Sequence, residues 1–321
     1  MLNPKFETLK RLNSYKPPHK DLRDIPWQPD DICPCGRNKL VRDCCQFETD
    51  FGVFHPPSLQ PSGPPTNFSN PRCCLAFTGN CSKTISSEHY FSKNVLERLG
   101  RFSISGTPWL ERGQEQEIGI NRVTANILCK RHNESLSPID QLGGNAILTI
   151  TDAIDYLAQK GPYRRSAYGF FSGHMLELWA LKVLLGMVHG KVMRGENSSL
   201  IDPAQIPVSF LRRAFYEHQI ESPAGFYIQP TDKPLFPMVY QVIALFNASD
   251  NCLAGLKIRV KGLEFWFPFF PDEDNARLFE NLSLVHRPLI LDLVTPKRSV
   301  RLMSNWPSGP GTYKRVAFGA K

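Results

Sequence analysis

The sequence predicts an α+β chain built in several parts, and three observations predict it. Cysteines gather in two clusters, a proline-rich stretch runs between them, and beyond Gly143-Gly144 the apolar residues recur first at helical and then at strand spacing. A length of 321 residues with 41% hydrophobic content is enough to bury a core and excludes a chain disordered throughout. No apolar run reaches the roughly 20 uncharged residues of a membrane span; the best, Leu178 to Val188, is short and carries Lys182. Met1 to Lys20 lacks the continuous apolar segment of a secretory signal, so a cytoplasmic location and no membrane partner are expected.

In chain order, residues 1–30 mix charges with Pro17, Pro18, Pro26 and Pro29, and are expected to form an extension with at most a short helix and no core of its own. Residues 31–47 hold the first cysteine cluster. Residues 48–70 contain Pro56, Pro57, Pro61, Pro64 and Pro65, a density that forbids regular hydrogen bonding and predicts a linker. Residues 71–145 hold the second cluster. In residues 146–295, Ile147, Ile150, Ile154 and Leu157 predict one helix that Gly161-Pro162 stops, and Met175 to Val188 predict another before Gly190. A short helix near Phe210 to Tyr216 follows. Strands are expected at Gly225 to Ile228, Met238 to Phe246, Leu256 to Val260 paired with Leu263 to Phe269 across Lys261-Gly262, and Pro288 to Val294. This larger α+β domain carries no recognisable chemistry and is a candidate for selecting substrate.

Charge points to an acidic partner. Lys and Arg number 38 against 30 Asp and Glu, a net charge of +8. Residues 296–321 read as a basic tail: Lys297, Arg298, Arg301, Lys314, Arg315 and Lys321 have no acid among them, and Trp306, Tyr313 and Phe318 could stack on bases. The alternation Ser299 to Met303 leaves open a strand at a sheet edge instead.

Nine cysteines in a reducing compartment argue for metal before disulfides. Cys33-x-Cys35, eight residues, then Cys44-Cys45 bring four soft thiolates into one tight loop, which suits tetrahedral Zn²⁺, and Gly36 relieves the backbone at the turn. A second ligand set is discontinuous. Cys74 and Cys81 flank a loop, with Cys73 as the alternative to Cys74, and Cys129 with His132 begin a later segment. The stretch Ala125 to Asn133 is expected to continue as a helix toward Leu142, with Gly143 as its stop. Cys252, without a partner, reads as a small buried hydrophobe.

The first cluster, from Cys-Pro-Cys-Gly onward, resembles the SEC-C motif, a small zinc-binding hook at the C-terminus of the preprotein translocase motor and in many bacterial proteins. The resemblance implies a structural zinc and a protein partner docked on the hook. The second cluster, with Glu88-His89 between its halves, resembles the HNH, or ββα-metal, nucleases on a treble-clef zinc scaffold. An acidic residue and His at the end of the first strand, an Asn before the helix and His or Asn after the last zinc ligand are matched here by Glu88-His89, Asn126 and Asn133. The first pair is Cys-x6-Cys where Cys-x2-Cys is usual, and Asn126 lies closer to Cys129 than the family's Asn.

That resemblance implies a metal-dependent endonuclease acting on DNA, with RNA as the other candidate. His89 would be the general base, Glu88 and Asn133 the ligands of a catalytic Mg²⁺ or Mn²⁺, and Asn126 a further site residue. The chemistry is sound on its own terms: phosphodiester hydrolysis needs a base near neutrality and a hard cation to stabilise charge on oxygen. Two other readings stand beside it, a non-catalytic nucleic-acid binder and an adaptor acting through the hook.

Overall fold

The computed structural model describes residues 8–11, 27–45, 56–99, 102–111, 114–159, 165–195, 199–229, 240–275, 277, 284–307 and 315–319. Short elements come first: β1 (Leu9–Arg11), β2 (Ile85–His89), α1 (Lys93–Leu99), β3 (Phe102–Ser105), β4 (Glu115–Ile118) and β5 (Thr124–Cys129). Then come α2 (Lys130–Ala158), β6 (Arg165–Ser172), α3 (Gly173–His189), α4 (Val208–Tyr216), β7 (Tyr227–Ile228), β8 (Tyr240–Phe246), β9 (Leu253–Val260) and β10 (Leu263–Pro268). The chain closes with β11 (Val285–His286), β12 (Ile290–Val294), β13 (Arg298–Asn305) and β14 (Arg315–Gly319). The architecture is α+β, as expected.

Two five-stranded sheets, ordered β1-β6-β13-β12-β14 and β11-β7-β10-β9-β8, are accompanied by two two-stranded antiparallel sheets, β2-β5 and the hairpin β3-β4. The helix α3 is apolar nearly all round and buried along almost its whole length, which is the pattern of a helix inside a core rather than on a surface. Ser172 caps it, its Oγ accepting the Met175 amide at 3.2 Å. Trp179 of α3, Tyr156 of α2, Phe170 and Phe171 of β6 and Phe265 of β10 belong to one continuous apolar core, which also takes in Cys33, Cys35 and Cys45.

Several expectations change. The helix does not stop at Gly143: α2 runs 29 residues through Pro138 and Gly143-Gly144, across the boundary expected at 145/146. The glycines serve packing. A Cβ on Gly143 would lie 2.2 Å from Trp179 Cβ, and one on Gly144 2.5 Å from Asn94 Oδ1, so α2 approaches α3 and α1 more closely than any side chain allows. Ahead of it, residues 124–129 are strand and not helix, because they pair with β2.

The basic tail is also corrected. Arg298 and Arg301 lie buried in β13, which sits inside the first sheet between β6 and β12. Arg301 faces Asp292 across the ladder and donates to it at 2.9 Å; Arg298 lies over the Tyr156 ring and donates to the Gln159 carbonyl. Trp306 is 3% exposed, stacks on Phe226, and is not open to a base. The strand alternative holds, in the sheet interior rather than at its edge. Lys314, Lys321 and Tyr313 lie outside the described residues.

At the other end, Leu9 to Arg11 of the extension pair with Gly169 to Ala167, so three residues of it join the first sheet, and Leu9 is buried in the core. The described part of the linker, 56–70, is irregular as its prolines require, yet it is strapped down. Arg131 donates to the Gly63 and Pro64 carbonyls, and Thr66 Oγ1 donates to the Cys81 carbonyl. Cys252 is exposed, not buried. Among the described residues no helix is long and apolar enough to cross a membrane.

Candidate functional site

The first cluster forms as read: Cys33, Cys35, Cys44 and Cys45 are buried, with their sulfurs within 4.8 Å of one another. Gly36 has φ +95°, the left-handed turn that its position requires. The hook is bound into the body of the protein. Gln141 and Asn145 of α2 donate to the carbonyls of Gly36 and Pro34, and Asn305 at the end of β13 donates to Cys45 Sγ at 3.7 Å.

The second cluster is Cys73, Cys81, Cys129 and His132, all buried. Cys73 takes the place the sequence reading gave to Cys74: its Sγ lies 3.4 Å from His132 Nδ1, beside Cys129 at 3.2 Å and Cys81 at 3.6 Å. Adjacent residues point to different sides of the backbone, and Cys74 lies outside the group, its amide donating to the Ile127 carbonyl; burial pushes its thiol up to about 12. Thr78 Oγ1 donates to the Leu75 carbonyl and therefore accepts from His132 Nε2 at 3.0 Å. That fixes the proton on Nε2 and leaves the Nδ1 lone pair facing the sulfurs. Burial holds the His132 imidazole down to about 4, so it stays neutral, the form a metal takes. Both groups could hold a metal ion, and thiolate with imidazole donors suits zinc.

The second cluster staples the 73–81 loop, the end of β5 and the first turn of α2 together, and β2, paired with β5, brings the remaining candidates near that junction. Glu88 and His89 end β2; Glu88 is 8% exposed and His89 is half-buried. Asn133, in the first turn of α2, lies close enough to Glu88 to help lower the pKa of its carboxyl group. Asn126 does not join them. A regular ladder continued from the Ser86–Leu128 pair would set Asn126 opposite Glu88, but a bulge on β5 puts Ala125 there and leaves Asn126 exposed.

Two residues the sequence reading did not single out for chemistry complete the cluster. Lys182, on α3, donates to Glu88 Oε1 at 2.5 Å and also to Asp140 Oδ2. Asp140 lies two turns after Asn133 on α2, and its Oδ1 accepts from Ser92, which accepts in turn from Trp179 Nε1, each at 2.7 Å. The signal for Lys182 was its position as the one charge in the apolar run Leu178 to Val188. Its two acidic partners came from elements far away in sequence and gave no signal.

Burial raises the Glu88 pKa, and the negative charge of Asp140 adds to this, while Lys182 and Asn133 pull it back. Burial also works against the Lys182 ammonium, but Asp140 and Glu88 outweigh it and hold its pKa above the ordinary lysine value. The His89 pKa is lowered, first by burial and then by the Lys93 charge. His89 Nε2 is buried with no hydrogen-bond partner among the described residues, so a potential proton acceptor is held in reserve where the Asp140 and Glu97 charges are felt. No family model, curated protein or solved structure matches this chain.

Proposed function

We propose that this protein is a phosphodiester hydrolase of the HNH type, cytoplasmic, acting on DNA, with His89 as general base. The observation that carries the reading is the placement of Glu88 and His89 at the end of β2 and of Asn133 near Glu88 in the first turn of α2, next to a Cys₃His group, with His89 Nε2 left without a partner among the described residues. His89 would take a proton from water at Nε2; its lowered pKa keeps it a free base at neutral pH. Glu88 and Asn133 offer a carboxylate and an amide oxygen, hard donors that fit Mg²⁺ or Mn²⁺. Such a cation, when bound, supplies positive charge to the phosphate and to the departing 3′ oxygen. The zinc groups would be structural, since four protein donors leave no open position on the metal.

The hook is tied to α2 and β13 by three side-chain hydrogen bonds, which favours a staple over a free docking module and weakens the adaptor reading. A non-catalytic nucleic-acid binder keeps one observation in its favour, the ion pair between Lys182 and Glu88. Cleavage of plasmid DNA and of an RNA strand by the purified full chain, with Mg²⁺ or Mn²⁺ and with His89→Ala alongside, separates these. Cutting by the wild type that His89→Ala loses supports the hydrolase, and DNA retarded in a gel but never cut supports the binder.

A further inference from the structure

We propose that Lys182 is a built-in competitor for the divalent cation, so that cation and substrate phosphate bind together rather than independently. The inference rests on the reading of Glu88 as a cation ligand.

The Lys182 ammonium stands between Glu88 and Asp140, bonded to both, and so competes for the Glu88 carboxylate that a divalent cation would need. It is not a surface lysine that swings away. Its side chain is 7% exposed, and its backbone is fixed by the close approach of Gly143 to Trp179 one turn earlier on α3. Asp140 is equally held, by the chain of hydrogen bonds from Trp179 through Ser92.

Charge then decides the order of events. Glu88 and Asp140 contribute two negative charges and Lys182 one positive, which leaves a single negative charge in a site where Glu88 and Lys182 are buried and Asp140 is 29% exposed. A divalent cation added alone turns that into a net positive charge, with an ammonium sharing its carboxylate. A phosphodiester brings one negative charge and returns the sum to zero. Buried charge is costly unless balanced, so the phosphate raises the affinity for the cation, and by linkage the cation raises the affinity for the phosphate by the same factor. Near His89 the other charges, Lys93 and Glu97, pair with each other at 3.6 Å and leave the sum unchanged.

The test is Mn²⁺ binding to the full chain, followed by the electron paramagnetic resonance of free Mn²⁺, with and without a short DNA duplex. All proteins carry His89→Ala so that DNA stays intact, and zinc content and circular dichroism establish the fold. With Lys182 present, DNA should tighten Mn²⁺ binding about tenfold or more. Lys182→Met should bind Mn²⁺ about tenfold more tightly without DNA and gain little from it, whereas Lys182→Arg should behave as the wild type. Should Lys182→Met fail to fold, Asp140→Asn decides, because it removes a negative charge while the ammonium stays, and should weaken Mn²⁺ about tenfold. Unchanged Mn²⁺ affinity in Lys182→Met, or in Asp140→Asn where that variant decides, overturns the inference. Failure of the hydrolase reading looks different: the Lys182 effect persists in a protein with wild-type His89 that never cuts DNA.

Discussion

Replacing Gly143 by alanine distinguishes a helix stop from a packing contact, because the two roles predict opposite signs. At a stop inside what is in fact a continuous helix, alanine would gain about 1 kcal/mol of helix propensity and stabilise the protein. At a packing contact it must overcome the geometry. The added Cβ lies 2.2 Å from Trp179 Cβ, 2.7 Å from Trp179 Cγ and 2.9 Å from the Met175 carbonyl, so α2 and α3 have to part by roughly 1 Å to restore ordinary contact. These atoms lie on or next to the α3 backbone and cannot rotate out of the way. Overpacking of this kind costs about 3 kcal/mol at its upper end, and the propensity gain offsets about 1, for a net loss of about 2 kcal/mol. Gly186→Ala is the internal control: it too is helical, but its Cβ would meet Tyr90 at 3.4 Å, so it should be neutral or slightly stabilising. Urea unfolding followed by circular dichroism at fixed zinc compares the midpoints. A Gly143→Ala protein as stable as the wild type would refute the packing argument.

The other predictions are more direct. Elemental analysis of protein purified without chelator should find two zinc ions per chain; Cys73→Ser should lose one of them and Cys74→Ser none. His89→Ala should abolish DNA cleavage with both zincs retained. In the wild type kcat/KM should fall only as the pH drops through a value below 6.5, because burial lowers the His89 pKa and the free base persists above it; an acid limb at or above 6.5 contradicts this. Arg301→Met should cost about 3–5 kcal/mol by removing the guanidinium that pairs with the buried Asp292, and combining it with Asp292→Leu should recover most of that, as thermal unfolding of the three variants would show. Truncation before Pro296 removes β13 from inside its sheet and should give aggregated protein, where a free basic tail would leave a soluble one with weakened salt-dependent DNA binding.

The sequence by itself determined whatever is local. The Cys33–Cys45 hook needs only one turn and thirteen residues, so its spacing specified it. Strands β7 to β10 of the second sheet were legible because alternation and the Lys261-Gly262 turn lie within single segments, and α3 because its apolar run ends at Gly190. The adjacency of Glu88-His89 and of His132-Asn133 was equally plain. Tertiary structure alone decided the rest. Gly143 carries the same letter whether it ends a helix or admits Trp179, and only the neighbour across the interface distinguishes the two. Cys73 and Cys74 differ by one residue, and the direction of each side chain follows from how residues 73–81 fold over α2. The bulge that removes Asn126 is a mismatch between two strands and is visible in neither. The arginines of β13 read as a free cationic tail because Asp292, Tyr156 and the Gln159 carbonyl, which make their burial tolerable, arrive from other elements. Lys182 is the sharpest case: a charge in an apolar helix costs free energy unless it is paired, and its pairing with Glu88 and Asp140 exists only once β2, α2 and α3 have packed.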